Sequence, residues 1–212
     1  MEFREFKHII AAIIILTIVG GFSFIIESSW AALAQVFLFA VIIILVAVFA
    51  KKLIAYSLDA DVEHTIWQFS RWGYKQHQHL KTPVPGGIIF PLFLSLFSLG
   101  SIKFPALLTY EASALKRRAA KRFGFYSYTE MSDWHNALIG AAGIVAVLII
   151  AIVTYFLPAN FEYLAKMAVY YAFANMIPIA KLDGSQIFFG SRVLYTILAV
   201  IALIFFGYAL IL

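Results

Sequence analysis

The sequence predicts an all-α polytopic membrane protein with about five transmembrane helices, a re-entrant or interfacial segment and a small β element. Of its 212 residues, 63% are hydrophobic and 13% are charged, whereas a soluble domain is about half apolar and a quarter charged. Apolar runs of bilayer-crossing length recur along the chain. The net charge is +5, but the basic residues flank these runs, so the charge indicates membrane topology and no nucleic-acid partner.

Five apolar runs are predicted to cross the bilayer, within a single membrane-embedded domain of residues 1–212. They are residues 8–26, 30–50, 137–157, 161–180 and 193–212. The first is long for a signal peptide and shows no small-x-small cleavage site, so we expect a retained span. The chain has no cysteine, which excludes thiol catalysis, disulfides and cysteine-ligated zinc.

Residues 87–110 are apolar but are interrupted by Pro91, Gly100, Lys103 and Pro105. If this stretch enters the bilayer and returns to the same side, the basic groups of the chain all lie on one side of the membrane, as the positive-inside rule requires. Those groups are the N-terminal basic residues, Lys51, Lys52, the cluster at 116–122, Lys181 and Arg192. We therefore predict a protein of the cell membrane with a cytoplasmic N-terminus and the C-terminus outside.

The polar segment after the second span predicts a short β-strand. β-branched and aromatic residues are frequent from Asp61 to Phe69, which favours an extended conformation. In that conformation Val62, His64 and Ile66 lie on one side of the strand. Glu63, Thr65, Trp67 and Phe69 lie on the other side.

The most informative stretch runs from Asn175 to Gly184. It places the carboxylate of Asp183 just beyond a long apolar run, and an acidic group at membrane depth indicates a functional site. Pro178 interrupts the helix and Gly184 permits a sharp turn. These residues predict a broken helix that forms one wall of a binding cleft.

The spacing Asn-x-x-Pro-x-x-x-Leu-Asp-Gly resembles the second metal-binding motif of site-2 proteases, the intramembrane zinc metalloproteases. The resemblance implies that fold, and it gives Asp183 the position of the third zinc ligand. The other family motifs are changed. In the matching register Ala47 and Lys51 replace the two zinc histidines and Val48 replaces the catalytic glutamate. Residues 142–147 similarly resemble a Gly-Pro-x-x-Asn element without its proline and asparagine.

A second register is possible for the His-Glu-x-x-His motif. It aligns residues 60–64, so that Asp61 takes the place of the catalytic glutamate and His64 that of the second histidine. Ala60 then stands where a ligand is needed, and the segment is too strand-like for a spanning helix. His77 and His79 are expected to be solvated, and His135 to anchor the start of the third span at the membrane surface.

The leading functional hypothesis is an inactive relative of site-2 proteases. It would bind a transmembrane or extended peptide segment at the old reaction chamber, or regulate a partner. Catalytic zinc needs three protein ligands and a bound water, so no cofactor is expected, and the vestigial ligand Asp183 is predicted to pair with Lys51. One alternative is an active zinc protease that uses Asp183, His64 and a further histidine. A weaker alternative is a small transporter or channel.

Overall fold

The computed structural model describes residues 3–71, 79–115, 131–158 and 161–211, most of which are helical. The helices are α1 (Phe3–Gly20), α2 (Phe22–Ile26), α3 (Trp30–Ser57), α4 (Gly86–Phe97), α5 (Asp133–Tyr155), α6 (Glu162–Met176), α7 (Asp183–Gly190) and α8 (Arg192–Ile211). The strands are β1 (Ala60–Ile66), β2 (Phe69–Arg71), β3 (His79–Val84) and β4 (Leu108–Ala114). The basic cluster at 116–122 and His77 lie outside the described residues.

Three of the described helices are long and apolar enough to cross a membrane: α3, α5 and α8. The prediction of a helical membrane protein is therefore confirmed. Two of the five predicted spans differ from the helices found. The run at 8–26 is divided between α1, whose first turns are charged, and the short α2. The run at 161–180 contains the 15-residue α6, which is about 22 Å long, shorter than the roughly 30 Å of a hydrocarbon core.

The end of α6 follows from the local sequence. The helix stops at Met176, and Ile177 adopts an extended conformation with ψ 128°. Proline disfavours the helical conformation in the residue before it, and Pro178 follows Ile177 directly. The interruption predicted at Pro178 is therefore present, but it divides the predicted fourth span into α6 and a non-helical connection.

Residues 87–110 do not form a spanning helix. The 12-residue α4 is about 18 Å long, and it is followed by a turn in which Leu99 and Gly100 both have positive φ. The chain then continues without helix to β4. This geometry agrees with a segment that does not cross the bilayer.

The strand predicted in the polar segment is present as β1, which pairs antiparallel with β4. Its alternate residues Ala60, Val62, His64 and Ile66 are buried, which confirms the predicted sidedness of the strand. Trp67 is also buried, because it lies beyond the end of β1 and turns towards the core. A second two-stranded sheet is formed by β2 and β3.

Helix α5 lies at the centre of the bundle, where it packs against α3, α6 and α7. On one side α3 packs against α1 and β1, and on the other side α8 packs against α6 and α7. The main apolar core is formed between these helices. The β1–β4 sheet lies at the end of α3, so it is next to the connection that leads into α7.

Candidate functional site

A buried ion pair joins Lys51 of α3 to Asp183, the first residue of α7. The ammonium nitrogen of Lys51 lies 2.6 Å from Oδ2 of Asp183, and each side chain is 2% exposed. Lys51 is six residues from the end of α3. The sequence predicts this pair, and the structure brings its two members together across 132 residues of chain.

The connection from α6 to α7 places Asp183 towards α3. A Cβ atom on Gly184 would lie 2.1 Å from the carbonyl oxygen of Met176, so only glycine permits this close approach of the two helices. The hydroxyl of Ser185 donates to the carbonyls of Ala180 at 2.6 Å and Leu182 at 2.8 Å. The turn is therefore held by its own side chains.

Strand β4 fixes the same connection from the other side. The hydroxyl of Thr109 donates to the carbonyl of Lys181. The side-chain amide of Gln186 donates to the carbonyl of Tyr110 at 3.1 Å, and the ammonium of Lys181 pairs with Glu111 at 2.8 Å. Three consecutive residues of β4 thus hold the turn that carries Asp183.

The side chain of Lys51 passes between α5 and β4. A Cβ atom on Gly143 would lie 2.5 Å from Cε of Lys51, so the lysine stem occupies space that α5 leaves free at this glycine. The ammonium lies 4.8 Å from the centre of the Tyr110 ring, within the range of a cation–π contact. The Tyr110 hydroxyl donates to the carbonyl of Asn136 at 2.6 Å, which fixes the ring against α5.

A second buried charged group adjoins the first. Glu5 in the first turn of α1 is 3% exposed. Its carboxylate pairs with Lys52 at 2.7 Å and with Nδ1 of His64 at 2.9 Å. Glu5 is not among the site residues that the sequence predicts. The signal that points to it is the histidine on the buried face of β1, since a buried polar side chain requires a partner.

The protonation of His64 follows from its surroundings. Burial, followed by the charge of Lys51, lowers the pKa of His64 to about 4, while the hydrogen bond and the charge of Glu5 raise it. His64 is therefore neutral at pH 7, and its contact with Glu5 is a hydrogen bond donated from Nδ1. Within the described part of the chain its Nε2 is buried without a hydrogen-bond partner.

The predicted cleft residues Asn175 and Pro178 differ in burial and in role. Asn175 is fully buried, and its amide nitrogen donates to the carbonyls of Tyr171 at 2.9 Å and Pro105 at 3.4 Å. It therefore joins α6 to the segment before β4. Pro178 is exposed in the turn after α6, where it ends the helix and does not line the interior.

The described residues do not fit the zinc ion that the resemblance implies. Oδ2 of Asp183 already binds an ammonium, and among the residues that the structure describes no three histidine, cysteine, aspartate or glutamate side chains converge on one point. Ala47 and Val48 are buried apolar residues. A lysine in contact with the one acidic group would repel a dication.

The geometry does not support the second register, in which Asp61 is the catalytic group and His64 is a zinc ligand. Asp61 and His64 are three positions apart on β1, so they lie on opposite faces of the strand. Asp61 is exposed and accepts a hydrogen bond from the backbone of Val62 at 2.9 Å, whereas His64 is buried. Ser132 caps the start of α5 by accepting from the backbone N–H of His135, whose ring also contacts the Ser132 hydroxyl. The side chain of His79 lies outside the described residues.

The fold and the site define a mainly helical membrane protein with a small antiparallel sheet and an internal ion pair. No family model matches the chain, and it matches neither a curated protein nor a solved structure. The likeness to site-2 proteases therefore stays a prediction that depends on the residues from Asn175 to Gly184.

Proposed function

We propose that this chain is an inactive protein of the site-2 protease type, in which the Lys51 ammonium takes the place of a metal ion. The observation that carries the proposal is the 2.6 Å contact between Lys51 and Asp183. In the proposed family the aspartate at this position binds zinc. Here a covalently attached cation contacts Oδ2 of the carboxylate instead, while Oδ1 is buried without a hydrogen-bond partner among the described residues.

A buried carboxylate requires a positive partner, because its desolvation is costly. Once histidine ligands are lost, a lysine on the same helix supplies that charge without any metal. It supplies neither a Lewis acid nor an activated water. The family's turn motif around Asp183 is thus kept while its zinc-binding motif on α3 is lost. This combination is compatible with a scaffold that is retained for binding a peptide.

The proposed ligand is a transmembrane or extended peptide segment of a substrate-like partner. Among the described strands β1 and β4 each pair with a single strand. On β1 the backbone N–H of His64 already donates to Glu5, so the proposed edge for an extended peptide is that of β4, beyond Tyr110, whose carbonyl accepts from Gln186. Through Thr109 and Tyr110, β4 also contacts Lys181 just before Asp183 and Gln186 just after it. A peptide bound at β4 would therefore affect the geometry of the Lys51–Asp183 ion pair.

The proposed topology has five spans, with the N-terminus on the cytoplasmic side of the cell membrane. In it, α1 and α6 with its following turn are the two spans besides α3, α5 and α8, and the α4 segment is re-entrant or interfacial. The ion pair of Glu5 with Lys52 places the start of α1 beside the end of α3. Lys51, Lys52 and Lys181 are then at one end of the bundle, as the positive-inside rule requires.

Metal analysis of the purified full chain tests the inactive-protein proposal. We expect a zinc content far below one ion per chain after purification in zinc-containing buffer. One zinc per chain that disappears in Asp183→Ala would refute the proposal. Cleavage of a membrane peptide that is abolished by Asp61→Asn or His64→Asn would instead support the active protease.

Cross-linking in liposomes tests the binding site. A photoreactive residue in place of exposed Glu111 on β4 is expected to capture a synthetic single-span peptide, whereas the same residue in place of lipid-facing Leu203 is the control. Equal capture at both positions would contradict peptide addition at the sheet. Ion uptake by the same liposomes that depends on Asp183 would favour a transporter.

A further inference from the structure

A groove lies at the end of the bundle opposite to the ion pair. It is formed by the end of α5, the start of α6 and the end of α8, and its volume is about 390 Å³. Helix α6 separates the two regions, because its first turns line the groove and its last turn leads towards Asp183. The apolar lining includes Ala151, Ile152, Ala165, Val169, Ile204 and Phe205.

The groove faces the region of the bilayer. Two of its walls belong to α5 and α8, which are candidate spans, and Ile152 and Ile204 are 41% and 64% exposed. At its end the rings of Tyr155 and Tyr208 meet edge to face with their centres 5.6 Å apart, and their hydroxyls are hydrogen-bonded. This pair joins α5 to α8 across the groove.

One charge of each sign lies at the rim. Glu162 and Lys166 both border the groove and pair at 2.8 Å, with their side chains 44% and 25% exposed. Together they are neutral. A ligand that complements this rim presents a negative and a positive group side by side.

We propose that the groove is a binding site for one zwitterionic phospholipid. An acyl chain lies along the apolar walls, the phosphate contacts Lys166, and the ammonium of the headgroup contacts Glu162. The volume is within the range of small-molecule sites, about 300–1,000 Å³.

Native mass spectrometry of the full chain, titrated with palmitoyl-oleoyl phosphatidylethanolamine, tests this site. We expect one tightly held lipid per chain. The variant Ile204→Trp fills the groove from its rim and should weaken binding at least about tenfold. The matched control is Leu203→Trp, which is also exposed at 57% but does not line the groove, and it should bind as the unaltered protein does.

The rim is tested separately with the double variant Glu162→Gln and Lys166→Gln. It should retain the lipid but lose the preference for phosphatidylethanolamine over phosphatidylglycerol. If Ile204→Trp fails to fold by circular dichroism, Ile152→Trp on the facing wall replaces it.

Three outcomes would overturn the proposal. Equal weakening by Ile204→Trp and Leu203→Trp would show that only the general lipid shell is affected. A dimer that Ile204→Trp converts to monomers would assign the groove to a second copy of the chain. Equal binding of phosphatidylglycerol by the unaltered protein would remove the role of the rim charges.

Discussion

Removing both members of the Lys51–Asp183 pair should destabilise the protein less than the sum of the two single substitutions. The substitution Lys51→Met leaves the carboxylate buried without its cation, and Asp183→Asn leaves the ammonium without its anion. At 2.6 Å and an effective dielectric constant of about 20, the attraction between the two charges is about 6 kcal/mol. Because desolvation cancels part of this attraction, each single substitution should lower the free energy of unfolding by about 3–5 kcal/mol.

The double variant separates the attraction from the cost of burial. With both charges removed neither group needs a counter-ion, so we expect Lys51→Met with Asp183→Asn to be less destabilised than the sum of the single variants by about 2–3 kcal/mol. The exposed pair of Lys181 and Glu111 is the matched control, because its contact distance is similar at 2.8 Å. The same cycle at that surface pair should give a coupling of about 0–1 kcal/mol.

The free energies are measured by reversible unfolding of the purified protein in mixed micelles, followed by circular dichroism. Helix content of each variant before denaturation shows whether it is folded. Additive single effects at Lys51 and Asp183, or a coupling no larger than that of the exposed control pair, would refute the view that this contact is a buried ion pair.

Two further predictions concern the groups around the pair. Gly143→Ala should destabilise the protein by about 1–3 kcal/mol, because the new methyl group would displace the Lys51 stem. The control Gly207→Ala, where a Cβ meets no atom within 4 Å, should leave the stability unchanged. Equal effects of the two substitutions in thermal unfolding would contradict the packing role of Gly143. Stability should also fall as the pH drops from 6.5 towards 4, by roughly 3 kcal/mol, because the unfolded chain takes up a proton that buried His64 does not. His64→Asn keeps a donor for Glu5 and cannot titrate, so its unfolding free energy should depend less steeply on pH, and identical slopes would contradict the assignment.

The sequence by itself determined the features that depend on residues adjacent along the chain. Apolar composition predicts the membrane protein and the positions of α3, α5 and α8, since the cost of burying charge in lipid applies to each span separately. The predicted strand determines which residues of β1 share a face, because strand side chains point to opposite sides in turn, but the sequence did not determine which of the two faces is buried. Pro178 predicts the interruption after α6, although not the short length of that helix.

The tertiary structure alone decided how the charged groups are arranged. His64 shows no partner in its own segment, and its partner Glu5 is 59 residues away. In its own segment Gly143 has no feature that distinguishes it from any other helix glycine, and only the path of the Lys51 side chain gives it a packing role. Such contacts depend on which helix faces lie together, and this is set by the packing of the whole bundle, which no local pattern in the sequence encodes.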